Sequence, residues 1–213
     1  MPITVFVADD HAIVRDGLAS LLAAQPDIRV VGTAADGRDA VRDVLKLQPE
    51  VVVMDIAMPQ MNGIEATREI RDRAPQARVV ILSMHSSVEY VFHALEAGAH
   101  GYLLKESAAQ EVVDAVRTVR AGRRYLCRKV AEMVAGGIGR GSATSPLESL
   151  SKRERQVLQL VAEGRSSSQI AATLYLSPKS VDTYRSRLMQ KLHVGDVAGL
   201  VKFAIQHGLT PLE

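Results

Sequence analysis

Through residue 122 the chain alternates two hydrophobic patterns. Short, nearly unbroken apolar runs occur at ITVFVAD (3–9), IRVVGTA (28–34), VVVMD (51–55), ARVVILS (77–83) and GYLL (101–104). Between them, apolar residues recur at helical spacing, as with Ile13, Val14, Leu18, Leu21 and Leu22 in 11–25, or Val41, Val44 and Leu45 in 37–48. Further helices are predicted over 62–73, 86–97 and 107–121, the last opened by a capping-box pair, Ser107 and Gln110. A strand with no polar face must be covered on both sides, which calls for a parallel sheet between two layers of helices. Five strands and five helices over 1–122 therefore predict a doubly wound α/β domain with a five-stranded parallel sheet.

The pattern changes at residue 123. RRYLCRKVAEMVAG predicts one more helix, and GGIGRGSATSP has the composition of a flexible connector, with the tether at 136–147. Residues 123–147 thus read as helix and linker. From 148 to 213 strands disappear. SKRE (151–154) and SSSQ (166–169) are capping boxes opening helices to about 163 and 174, and Ser177-Pro178 opens another to about 192. A last helix covers roughly 196–207, so this is a small all-α domain.

Composition narrows the class. The chain has no tryptophan and 4% aromatics, so its cores are aliphatic. No apolar run approaches the ~20 residues of a spanning helix. The start, MPITVFVADD, lacks the basic flank of a secretory signal, and a single cysteine, Cys127, fits a reducing compartment. The expectation is a cytoplasmic protein with no membrane partner. The net charge of +2 conceals an asymmetry: residues 1–122 carry 12 basic against 17 acidic groups, residues 151–213 nine against five. An acidic part joined to a basic part suggests two tasks, the second facing nucleic acid. The six histidines have no metal-ligand spacing for zinc, and no GK[ST] phosphate loop is present.

Candidate chemistry lies at the strand ends, where doubly wound sheets bind ligands. Asp9 and Asp10 end the first strand and Asp55 the third. With strand order 2-1-3-4-5 all three converge, and like charges that crowded call for a hard divalent cation, most simply Mg²⁺. Ser83 and Lys105, at the ends of the fourth and fifth strands, face the same crevice with a hydroxyl and an ammonium. The set predicts phosphoryl chemistry with Asp55 as the nucleophile. The plainer alternative is that Asp9 and Asp10 cap the helix near His11.

The segments ADDH (8–11), MDIAMPQMNG (54–63), ILSMH (81–85) and GYLLK (101–105) resemble the flavodoxin-like receiver domain of two-component response regulators. LSKRERQVLQLVAEGRSSSQIAATLYLSPKSVDTYRSRLMQKL (150–192) resembles the LuxR-type helix-turn-helix, and together they resemble the NarL/FixJ family. The resemblance implies phosphorylation of Asp55 by a sensor histidine kinase. It implies that Mg²⁺ is held by Asp10 directly, by Asp9 through water, by Asp55 and by the Ala57 carbonyl. Lys105 would pair with the phosphoryl group, with Ser83 and Tyr102 as a switch pair in which the Tyr102 ring turns from exposed to buried. Many receivers have Lys-Pro with a cis bond here; this chain has Lys105-Glu106, for which a trans bond or a strained exception is expected.

In a helix-turn-helix the second helix enters the major groove of double-stranded DNA. Residues 182, 183, 186, 187 and 190 are predicted to project outward. Asp182, Thr183 and Ser186, joined by Arg187, are the candidates for base edges, and Lys179 and Arg185 for phosphates. Val197, Leu200 and Val201 are candidates for a homodimer contact in the active state. Two rival readings are a regulator that works unphosphorylated with a vestigial pocket, and an aspartyl-phosphate phosphatase. The phosphatase needs an acid two residues after the nucleophile, where this chain has Ala57.

Overall fold

The structure is a computed structural model; it describes residues 1–84, 88–107, 109–137, 149–206 and 209. The chain divides into two compact units, 1–139 and 140–213.

The first unit runs β1 (Ile3–Ala8), α1 (Ala12–Ala23), β2 (Ile28–Ala34), α2 (Gly37–Leu47), β3 (Val51–Asp55), α3 (Gly63–Arg73), β4 (Arg78–Ser83), α4 (Val88–Ala97), β5 (Gly101–Leu104), α5 (Ala109–Arg120), β6 (Tyr125–Leu126) and α6 (Arg128–Gly137). All strand pairs are parallel, in the order β2-β1-β3-β4-β5-β6. The predicted order is present, with one addition. Tyr125 and Leu126, assigned to a helix from sequence, instead form a sixth strand beside Gly101 and Tyr102. The Tyr125 amide donates to the His100 carbonyl and the Cys127 amide to the Tyr102 carbonyl. The exposed edge of β5 offered unpaired backbone groups, and two residues sufficed to satisfy them before the helical pattern resumed at Arg128.

Strand β3 is buried at all five positions, as its unbroken apolar run requires. The strands share one core with Leu22 of α1, Val41 and Val44 of α2, Ile70 of α3, Val91 of α4 and the α5 face formed by Val112, Val116 and Val119. Leu22 is the only buried residue of α1, so that helix is thinly attached beside the β1 carboxyl end. Parallel strands all point their carboxyl ends to one rim, which brings Ala8, Asp55, Ser83 and Leu104 to the same side of the sheet.

The second unit is helical: α7 (Lys152–Ala162), α8 (Ser167–Leu174), α9 (Pro178–Lys191) and α10 (Val197–Gln206). Both capping boxes form: Ser151 with Glu154 and Ser166 with Gln169 exchange side-chain and backbone hydrogen bonds. Ser177 caps α9, and Pro178 occupies its first turn. Leu158, Leu160, Ile170, Leu174, Val181, Leu188, Leu200 and Ala204 fill the core. The predicted tether falls almost wholly within 138–148, and so outside the described residues, as does residue 108 at the predicted Ser107 cap of α5.

Candidate functional site

At the rim of the first unit, β1 ends in Asp9 and Asp10 and β3 in Asp55. β1 and β3 are direct neighbours, Ala8 pairing with Met54, so the three carboxylates meet because of strand order. One oxygen from each, with a ring nitrogen of His11, lies within 4.8 Å of the others. Asp9 and Asp55 are buried and Asp10 is on the solvent side. Lys105 follows β5 and reaches back across the rim. Its Nζ lies 2.8 Å from Asp9 Oδ2 and donates to Asp55 Oδ2 at 2.9 Å. Its backbone amide donates to the Ser83 carbonyl at 2.9 Å, so β4 fixes where the lysine stem begins. The Lys105–Glu106 peptide is trans, as expected.

These distances set the electrostatics. Burial pushes the Asp55 carboxyl up to about 6, against the pull of Lys105, and Asp9 and Asp10 add to the rise. Burial opposes the Lys105 ammonium, but Asp55 and Asp9 outweigh it and its pKa is raised. One ammonium therefore serves two buried carboxylates, with Asp10 beyond it, and a net negative charge remains. Hard oxygen donors with residual negative charge and an open Asp10 side fit Mg²⁺. Ala57 follows β3 by two residues and is half-buried.

The plainer reading of Asp9 as a helix cap does not describe this geometry. The residue at the cap position of α1 is His11, without a side-chain cap. Asp9 Oδ1 accepts from the His11 amide at 2.9 Å while Oδ2 faces Lys105.

Three further residues shape the pocket and were not singled out from sequence. His11 Nδ1 lies 2.7 Å from Asp10 Oδ1. Arg15 donates to the Asp9 carbonyl at 2.8 Å. Gly63, first residue of α3, donates to the Ile56 carbonyl at 2.9 Å, and a Cβ there would stand 1.9 Å from the Asp55 carbonyl oxygen. The turn 56–62 folds so tightly under the β3 end that only glycine fits. The available signal was the MDIAMPQMNG run (54–63), which ends on this glycine.

Ser83 and Tyr102 are both fully buried, and their hydroxyls share a hydrogen bond. Of the two positions expected for the Tyr102 ring, the structure has the buried one, at 0% exposure. The reason is local. β4 and β5 pair with Ile81 opposite Tyr102, and Ser83 supplies a partner for the phenol, so burial costs no unsatisfied polar group. Burial also pushes the phenol pKa well above its usual value. Residues 85–87, which follow β4, lie outside the described residues.

In the second unit, Lys179, Asp182, Thr183, Ser186, Arg187 and Gln190 are exposed on α9, while Val181 and Leu188 face the core. The helical spacing thus sorts the faces as predicted. Arg185, expected at phosphates, is half-buried and donates to Ser167 Oγ at 3.0 Å and to the Arg165 carbonyl at 2.9 Å. It lies far enough round α9 to reach the turn before α8. Asp182 Oδ1 accepts from Ser167 Oγ at 2.7 Å. Ser167 therefore links both residues and fixes the angle of α8 to α9. Leu200, a candidate dimer contact, is fully buried in the core, leaving Val197 exposed and Val201 half-buried.

Two family descriptions match the chain: response regulator receiver domain over residues 5–117, and bacterial regulatory proteins of the luxR family over 148–204. The oxygen regulatory protein NreC of Staphylococcus carnosus is 38% identical over 96% of this chain and 98% of its own length. The transcriptional regulatory protein LiaR of Bacillus subtilis is 41% identical over 91% and 92%. Among solved structures, a LuxR-family two-component response regulator from an Aurantimonas species covers 65% of this chain and 99% of its own, at 38% identity and TM-score 0.63. RcsB in complex with DNA covers 97% and 99%, at 25% identity and TM-score 0.62.

Proposed function

Because this chain belongs to the two-component response regulators that join a receiver domain to a luxR-type DNA-binding domain, we propose that phosphorylation of Asp55 by a sensor histidine kinase controls sequence-specific DNA binding and transcription. The observation that carries this reading is the Lys105 ammonium, within 2.9 Å of both buried carboxylates.

A carboxylate oxygen of Asp55 attacks the phosphorus of a phosphohistidine. The P–O bond forms as the P–N bond breaks, and the imidazole leaves with its electron pair and takes up a proton. Lys105 is already beside the nucleophile and pairs with the arriving phosphoryl oxygens. Asp10, Asp55 and the Ala57 carbonyl, with Asp9 through water, would hold Mg²⁺, which when bound would supply positive charge against the incoming phosphate. Ser83 donates its O–H to a phosphoryl oxygen and accepts from Tyr102, which turns the existing pair into a relay of two hydrogen bonds. Tyr102 is also the β5 residue that receives the Cys127 amide, so a change at Ser83 reaches β6 and α6 through the backbone. Asp10 would meet Mg²⁺ on the open side, and the buried Asp9, 2.8 Å from Lys105 Nζ, also holds the lysine.

On the DNA side, Lys179 and Arg187 meet phosphates or base edges from the exposed face of α9, with Asp182, Thr183 and Ser186 beside them. Arg185 is a positioning residue for that face. Pairing of two copies on two half-sites supplies the affinity that one helix-turn-helix lacks. RcsB, one of the structural relatives, occurs as dimers bound to DNA. A cytoplasmic location fits the free Cys127 thiol and the lack, among the described residues, of any helix long and apolar enough to cross a membrane.

The test is duplex-DNA affinity with and without acetyl phosphate and Mg²⁺, for wild type and Asp55→Asn. Tightening in the wild type alone supports the reading. Equal affinity in all four samples would leave the pocket without a role in DNA binding.

A further inference from the structure

Tyr175 occupies an expensive position. It caps the C-terminus of α8 with φ 56° and ψ 48°, the left-handed region, where its amide donates to the Ala171 carbonyl. A residue with a Cβ resists that backbone, which glycine or asparagine adopts readily. Its ring is also 94% exposed. The cap hydrogen bond offsets part of the backbone cost, but the ring, almost wholly in water, gains little from packing within the unit.

The neighbouring residues fix where that ring stands. Leu174 is buried and Leu176 packs against the core, so the backbone on either side is anchored and the side chain between them projects outward. Ser177 caps α9, and Lys179 is exposed two residues further on. Tyr175 therefore stands at the entrance of the helix that carries Asp182, Thr183 and Ser186, continuous with the proposed DNA face. Its chemistry suits the duplex backbone: the phenol O–H donates to a phosphate oxygen, and the flat ring covers the apolar side of a deoxyribose. Tyrosine is among the residues that position proteins on DNA in this way.

We infer that Tyr175 is a clamp on the DNA backbone at the start of α9, a contact that sets how the helix sits in the groove without reading sequence. This rests on the DNA-binding reading of α9. Because the contact is a neutral hydrogen bond to a charged phosphate, its loss costs about tenfold in affinity and leaves the salt dependence unchanged, unlike loss of a lysine.

The experiment uses the full chain and two duplexes, one of random sequence and one selected from it by the purified protein. Variants are Tyr175→Gly, Tyr175→Phe and Lys179→Ala. Tyr175→Gly is expected to raise the unfolding midpoint of the helical unit, read by hydrogen exchange in α8 and α9, while weakening both duplexes about tenfold at an unaltered salt slope. Tyr175→Phe, which keeps the ring and loses the donor, is expected to fall between. Gain of stability with full DNA affinity would overturn the clamp. A lower midpoint would overturn the claim that nothing inside the unit holds the ring. If Lys179→Ala also leaves affinity and salt slope intact, the α9 reading fails, and the clamp with it.

Discussion

The pocket leaves a measurable imprint on stability. Between its ordinary carboxylate value of 3.8 and the folded value of about 6, Asp55 holds its proton more tightly in the folded than in the unfolded chain. Stability therefore falls as pH rises through this window. The penalty is absent below pH 3.8, accumulates up to about pH 6 and is complete above it. A difference of about 2 pH units at about 1.4 kcal/mol each gives a penalty of ~3 kcal/mol for ionised Asp55 in metal-free protein. Asp55→Asn removes the titration. In EDTA, the stability of the variant relative to wild type should thus grow by up to ~3 kcal/mol from pH 4 to pH 7.5. Urea unfolding, followed by hydrogen exchange of β1 and β3, separates this transition from that of the helical unit. Mg²⁺ should nearly close the gap, adding ~2.7 kcal/mol to the wild type at a hundredfold excess over its Kd. A stability gap that does not vary with pH would refute the assignment of the penalty to a buried Asp55 carboxylate.

Gly63→Ala places a methyl 1.9 Å from the Asp55 carbonyl oxygen, so it should cost ~1–3 kcal/mol in urea unfolding and slow phosphoryl uptake measured by intact mass. Lys179→Ala should weaken binding to every duplex and shallow the log–log salt slope by about 1, read by anisotropy titrations at several salt concentrations. Phosphorylation should change hydrogen exchange of residues 125–135 in wild type and leave it unchanged in Asp55→Asn, because β6 pairs with the strand that carries Tyr102.

The parts of this protein legible in sequence are those set by local periodicity and by strand order. VVVMD can only be a two-sided buried strand, and a strand order of 2-1-3-4-5 brings Asp9 and Asp55 together without knowledge of any side-chain angle. Ser151, Ser166 and Ser177 announced their helices because capping is a contact within four residues. What escaped depends on distant partners. Tyr125-Leu126 is too short to show a period and becomes a strand only because β5 has an open edge. Tyr102 is buried because Ser83 offers it a hydrogen bond, and Arg185 turns inward because Ser167 and the Arg165 carbonyl lie within reach. Gly63 is needed because a turn folds back on the Asp55 backbone, a closeness visible only in three dimensions.

The central claim is that Asp55 accepts a phosphoryl group in a pocket built by Asp9, Asp10 and Lys105. Intact-mass measurement after incubation with acetyl phosphate and Mg²⁺ tests it most directly. The account predicts that wild type gains the mass of one phosphoryl group, lost on treatment with hydroxylamine as an acyl phosphate must be, while Asp55→Asn gains none. An unmodified wild type, or equal gain by both proteins, would contradict it.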